Sequence, residues 1–79
     1  SSDYRYLNLD EETLQFLLQY SRNLKHLSIK SDTIKSDGIG LQEIKNLPQL
    51  QSLKMIECSA LENPPDLSGC TQLQSLTLS

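Results

Sequence analysis

Short runs in which apolar and polar residues alternate recur along this chain. The frame apolar-x-x-Leu-x-apolar appears as Tyr4-x-x-Leu7-x-Leu9, Leu24-x-x-Leu27-x-Ile29, Leu50-x-x-Leu53-x-Met55 and Leu73-x-x-Leu76-x-Leu78. Alternation over so few residues marks a strand with one buried face. Starts near 4, 24, 50 and 73 give intervals of 20, 26 and 23 residues, a length that holds one short strand and one return segment. Leu7 and Leu9, Leu27 and Ile29, Leu53 and Met55, and Leu76 and Leu78 are therefore expected to face a core, with the residues between them facing away. Stacked copies pair their strands in parallel, so the expected fold class is α/β. It is a repeat solenoid with a short-stranded parallel sheet on the concave face and helical or irregular return segments on the convex face. Residues 1–79 read as one such segment, its C-terminal repeat incomplete.

The three return segments differ in what they predict. The first is a helix from Asp10 to about Tyr20. Asp10 is its N-cap, Glu11 and Glu12 suit the positive end of the dipole, and Leu14, Leu17 and Leu18 make one apolar face. The second, Gly38 to Pro48, predicts a short helix or helical turn that brings Ile39, Ile44 and Leu47 inward and ends at Pro48. The third, Asn63 to Cys70, contains Pro64-Pro65 and predicts extended or single-turn structure. Where the chain turns off each strand, a small polar or thiol side chain is expected inside, meeting freed backbone groups. Cys58 fills that slot in the third copy, and Asp32 stands at the same offset in the second.

These residues resemble the leucine-rich repeat family over nearly the whole chain. The stretch from Leu50 to Ser79, with Cys58, Ala60-Leu61, Asp66-Leu67-Ser68 and Cys70, is similar to repeats of two groups within it. One is the sensor region of plant intracellular resistance proteins. The other is the repeat domain of type III effectors from plant-pathogenic bacteria, a virulence role. Asn63 stands where that family usually places Leu before the proline. The resemblance implies a protein–protein interaction module that binds through its concave sheet face and is not itself an enzyme. Some effectors of this kind carry a separate ubiquitin-ligase domain, and nothing in these residues matches one.

Composition narrows the remaining classes. The formal net charge is -3, which gives no basic surplus for nucleic acid or an anionic membrane. No stretch is long and apolar enough to span a bilayer, and no N-terminal segment reads as a signal peptide. The two cysteines, Cys58 and Cys70, make neither a disulfide framework nor a zinc set. They favour a reducing compartment, cytoplasmic or that of a host cell into which the protein is delivered. No cofactor is expected. Gly38-Ile39-Gly40 lacks the third glycine and the buried strand of a phosphate-cradling loop. Neither cysteine has a base beside it in sequence, as a nucleophile needs.

The expected partner surface is three columns of outward strand residues. The first holds Tyr6, His26, Ser52 and Ser75, the second Asn8, Ser28, Lys54 and Thr77, and the third Asp10, Lys30, Ile56 and Ser79. Tyr6 offers a large amphipathic contact of the kind enriched in interface hot spots, and equally a simple cover for the first strand. Lys30, Lys54 and His26 form a small basic spot, although exposed lysines are most often merely solvated. Ile56 is either a contact or an apolar residue tucked against the next repeat. The alternative to a binding module is a structural spacer, which the small polar residues of these columns favour.

The chain stops on a strand, at Leu78-Ser79, so the expectation is a piece of a longer repeat protein. An open parallel edge templates pairing with another chain, and self-association through that edge is expected. Light scattering over a concentration series should show it, and a clean monomer throughout would remove the expectation.

Overall fold

The computed structural model of the protein describes residues 3–79, and at Tyr6 and Leu7 the backbone alone. Four strands, β1 (Asp3–Leu7), β2 (His26–Lys30), β3 (Ser52–Ile56) and β4 (Ser75–Leu78), form one sheet in the order β1-β2-β3-β4. All three pairings are parallel. Parallel neighbours need a crossover that carries the chain back to the same end of the sheet. Helix α1 (Glu11–Gln19) makes the first crossover, a 3-10 helix (Leu41–Asn46) sits in the second, and the third is irregular. The architecture is α/β.

The core lies between the sheet and these crossovers. Leu27, Ile29, Leu53 and Met55 reach it from β2 and β3, and Leu14 and Leu18 from α1. Leu24, Ile34, Leu41, Ile44, Leu47, Leu50, Cys58 and Cys70 complete it from the connecting segments. Tyr4, Leu9, Leu61, Leu67 and Leu73 pack against it, partly buried. Each large aliphatic residue taken wholly from water contributes about 1.5–3 kcal/mol, so this layer is the main source of stability. In β2 and β3 the buried residues alternate with half-buried or exposed ones, as a one-sided strand requires. Leu76 and Leu78 share register with Leu53 and Met55, yet stand 43% and 42% exposed, because among the described residues no crossover lies over them.

The first strand departs from its expected frame. Register sets Tyr4 beside Leu27, Arg5 beside Ser28 and Tyr6 beside Ile29. The equivalent residues Asp3, His26, Ser52 and Ser75 thus follow at intervals of 23, 26 and 23 residues. The frame beginning at Tyr4 was three residues out of step. An odd shift exchanges the two faces of a strand, and the Tyr6 backbone falls level with that of Ile29, not with that of Ser28. Its side chain, like that of Leu7, lies outside the described residues. The physical reason is that β1 alternates at Tyr4 and Tyr6 as well as at Leu7 and Leu9, and spacing alone cannot choose between the two phases.

Helix α1 forms as its sequence directs. The Asp10 carboxylate accepts from the Thr13 backbone N–H at 2.8 Å, and Glu11 and Glu12 occupy the first turn. Hydrogen bonding from Thr13 holds the Asp10 carboxyl below its ordinary value of 3.8, and Ser68 does the same for Asp66. A depressed carboxyl stabilises the fold above the unfolded value and loses that contribution as pH falls through the folded one, so both turns weaken in acid. In the second crossover Ile44 and Leu47 are buried as expected, whereas Ile39 is 40% exposed. Ile39 lies between Gly38 and Gly40, whose backbone runs under the Glu11 carboxylate. A Cβ at Gly38 would stand 2.1 Å from Glu11 Oε2 and one at Gly40 2.9 Å from Leu14 Cδ2. With both flanking residues turned inward, the side chain between them turns out.

Gly69 answers a different close approach. A Cβ there would lie 1.8 Å from the Lys45 carbonyl oxygen at the end of the 3-10 helix. That neighbour is backbone and cannot swing aside. Gly69→Ala is expected to destabilise the protein by about 1–3 kcal/mol, the usual cost of overpacking. A lower midpoint in urea unfolding at unchanged slope checks this, and an unchanged midpoint would show that the third crossover moves freely off the second.

Candidate functional site

The face of the sheet that no crossover covers carries three columns, read directly from the register. The first is Asp3, His26, Ser52 and Ser75, and the second is Arg5, Ser28, Lys54 and Thr77. In the third, Lys30 and Ile56 lie level, with the Leu7 backbone at the same register, and Ser79 continues the row through the bond from Glu57 N–H to its carbonyl. His26, Ser28, Lys30, Ser52, Lys54, Ile56, Ser75 and Thr77 are thus brought together on one surface. Asn8 is not among them. It follows β1, takes a left-handed φ of 55° and donates its N–H to the Lys30 carbonyl at 2.7 Å. Asp10 caps α1 and is likewise absent from the columns. Asp3 and Arg5 take the places expected for Tyr6 and Asn8. No signal in the sequence singles them out, because only pairing to β2 sets the phase of β1.

Two contacts organise this face. His26 Nδ1 and Ser52 Oγ are 2.8 Å apart on adjacent strands, which fixes the imidazole on the sheet. Lys30 Nζ meets Glu57 Oε2 at 3.1 Å, with both side chains more than half exposed. An exposed pair of this kind is worth about 0–1 kcal/mol and gives way readily to another carboxylate. Ile56 is 37% exposed at the edge of the face. Arg5 and Lys54 are exposed, and no carboxylate pairs with either among the described residues.

Behind the sheet, polar side chains bind backbone groups of neighbouring turns. Buried Ser31 donates its hydroxyl to the Leu9 carbonyl at 2.9 Å, and Thr33 donates to the same oxygen at 3.0 Å. The Cys58 thiol lies 3.6 Å from the Ile29 carbonyl and the Cys70 thiol 3.2 Å from that of Ile44. Glu11 receives the backbone N–H groups of Lys35 and Gly40 at 2.8 and 3.1 Å. In the second turn the inward slot therefore belongs to Ser31, and Asp32 is exposed. The reason lies in the backbone. Asn8 and Glu57 have positive φ and turn the following residue, Leu9 or Cys58, inward, whereas no such φ occurs at Ser31. Burial pushes the Cys70 thiol up, with Asp66 adding to the effect, and both thiols are free and buried. Their role is to satisfy carbonyls.

Among the described residues, no group of three or more His, Cys, Asp or Glu side chains is placed to hold a metal ion, and no helix is long and apolar enough to cross a membrane. An open cavity of about 500 Å³, lined by Met55, Cys58, Leu61, Pro64 and Leu78 among others, lies where β3 and β4 run out. No family model, curated protein or solved structure matches the chain.

Glu57 holds a φ of 53°, a conformation that costs an ordinary L-residue about 1–2 kcal/mol and that Asn tolerates better. Asn already occupies the corresponding exit at position 8. Glu57→Asn is expected to stabilise the protein by about 0.5–1 kcal/mol, read as a raised urea midpoint. A lowered midpoint would mean that the Lys30–Glu57 pair outweighs the backbone strain.

Proposed function

We propose that this chain is a segment of a leucine-rich repeat solenoid and that it acts as a protein–protein interaction module, with the uncovered face of its sheet, the concave face of such a solenoid, as the contact surface. The observation that carries the reading is the division of the sheet. One face is sealed by α1, the 3-10 helix and the third crossover, while the other presents His26, Lys30, Lys54, Ser28, Ser52, Ser75 and Thr77 with no described element over it. A scaffold whose only demand is a core has no need to set a histidine by a cross-strand hydrogen bond on its open side. The similarity of residues 50–79 to effector and resistance-protein repeats makes recognition within a pathogen effector or an immune sensor the proposed setting. A reducing compartment follows from the same setting and from the two free thiols.

A structural spacer is the second reading, favoured by Ser28, Ser52, Ser75 and Thr77, whose short side chains offer little area to a partner. In a parent chain with a ubiquitin-ligase domain, the same face would select the substrate.

Affinity capture from plant cell lysate distinguishes the two. One bait carries Arg5, Lys30 and Lys54 changed to Ala, and the other carries Phe16 and Tyr20 changed to Ala. Phe16 on α1 and Tyr20 at its C-cap are exposed, with ring centroids 4.8 Å apart, and serve as the opposite-side control. The expected result is a partner that is held by the parent protein and the helix variant and lost by the sheet variant. Retention by the sheet variant and loss by the helix variant would move the contact to α1 and leave the sheet as scaffold.

A further inference from the structure

The charged residues of this protein are not spread evenly. The chain has ten acidic residues and seven Lys or Arg, for a formal net charge of -3. Among the outward strand positions the acidic set is represented by Asp3 alone, whereas Arg5, Lys30 and Lys54 and the single histidine, His26, all stand there. The outward strand positions are thus formally +2, and +1 with Glu57 counted, on a chain of -3. Glu57, just past the end of β3, engages Lys30.

We propose that this face takes an acidic peptide segment in extended form, its carboxylates meeting Lys54, Arg5 and Lys30. The proposal rests on the preceding reading that the face is a contact surface, and it names the chemistry of the occupant. Adjacent strands lie roughly 4.8 Å apart and alternate residues along a strand roughly 6.7 Å apart. Lys54 and Lys30, one strand and two residues removed, are therefore spaced by roughly 8 Å at their backbones. Alternate side chains of an extended peptide repeat at nearly that distance, within the reach of a lysine stem. Arg5 presents a planar fork that takes a carboxylate through two parallel bonds. Lys30 leaves Glu57 for an incoming carboxylate at little cost, because both partners are exposed and such pairs are weak. His26, held by Ser52, stands in the next column as a further hydrogen-bonding group. A single-stranded nucleic acid fits less well. The described outward positions carry no aromatic ring for a base to stack on, and the rest of the chain is acidic.

The test uses a short labelled peptide alternating Glu and Ser and its twin with Gln for every Glu, titrated by fluorescence anisotropy against the whole chain. The Glu peptide is expected to bind at least about tenfold more tightly than the twin, with the gap narrowing as salt rises. In an Arg5→Gln, Lys54→Gln variant the gap should close, and Glu57→Gln should tighten the Glu peptide by releasing Lys30. Circular dichroism confirms that the variants stay folded. Equal binding of the twins, no binding by either, or a gap untouched by the double variant would overturn the proposal. So would an oligouridylate that displaces the Glu peptide at lower concentration. Amide shifts of β1 to β3 separate this failure from failure of the contact-surface reading. If both twins shift those amides equally, the surface stands and its acidic preference falls. If the Glu peptide shifts only other amides, both fall.

Discussion

The rest of the structure depends on the return of the chain between parallel strands. A strand can pair in parallel with its predecessor only after the chain has been carried back along one face of the sheet. Because the strands also follow one another in sequence order and such crossovers share one hand, every crossover falls on the same side, makes that side the core, and leaves the other side uncovered. The division between a sealed face and an open one thus comes from connectivity before any particular side chain is considered. Leu14 and Leu18 on α1, and Leu41 and Ile44 on the 3-10 helix, fill the space so created.

Turning the chain so often frees backbone groups that would be costly if buried unsatisfied. The described residues meet this cost with a small repertoire. Ser31, Thr33, Cys58 and Cys70 reach carbonyls of an earlier turn, and Glu11 gathers two N–H groups of a later one. Glu43 Oε1, buried beside the core, has the charge of Arg22 at 3.2 Å across the first and second crossovers but accepts no hydrogen bond among the described residues. The glycines belong to the same scheme. None has a positive φ, and Gly38, Gly40 and Gly69 are needed for what lies against them, not for how the chain bends.

Much of this was legible in the sequence. The alternation of Leu27 with Ile29 and of Leu53 with Met55 placed β2 and β3, and Asp10 before Glu11-Glu12 placed the start of α1. The register of β1 was not legible, because two alternations overlap there and only pairing to β2 selects one. That single ambiguity accounts for Asp3 and Arg5 standing at the register positions expected for Tyr6 and Asn8. Ser31 in place of Asp32 escaped for a related reason. The inward slot depends on whether the preceding residue turns left-handed, which a spacing rule does not encode. Ile39 turned outward because of a carboxylate from another segment, a tertiary cause with no local trace.

The bonds from Ser31, Cys58 and Cys70 to earlier turns share one property: each ends on a main-chain carbonyl. Every residue type presents that atom. A turn of this chain therefore supplies its own fastener and asks nothing of the side chains in the turn it fastens to. Among the described elements, contacts run from each strand to the next and from α1 to the 3-10 helix, so the joints are local as well as indifferent to sequence. Apart from the His26–Ser52 and Lys30–Glu57 contacts, outward residues on one strand are then free to change without a matching change on its neighbour, and the open surface can be rewritten strand by strand while the frame beneath it stays the same.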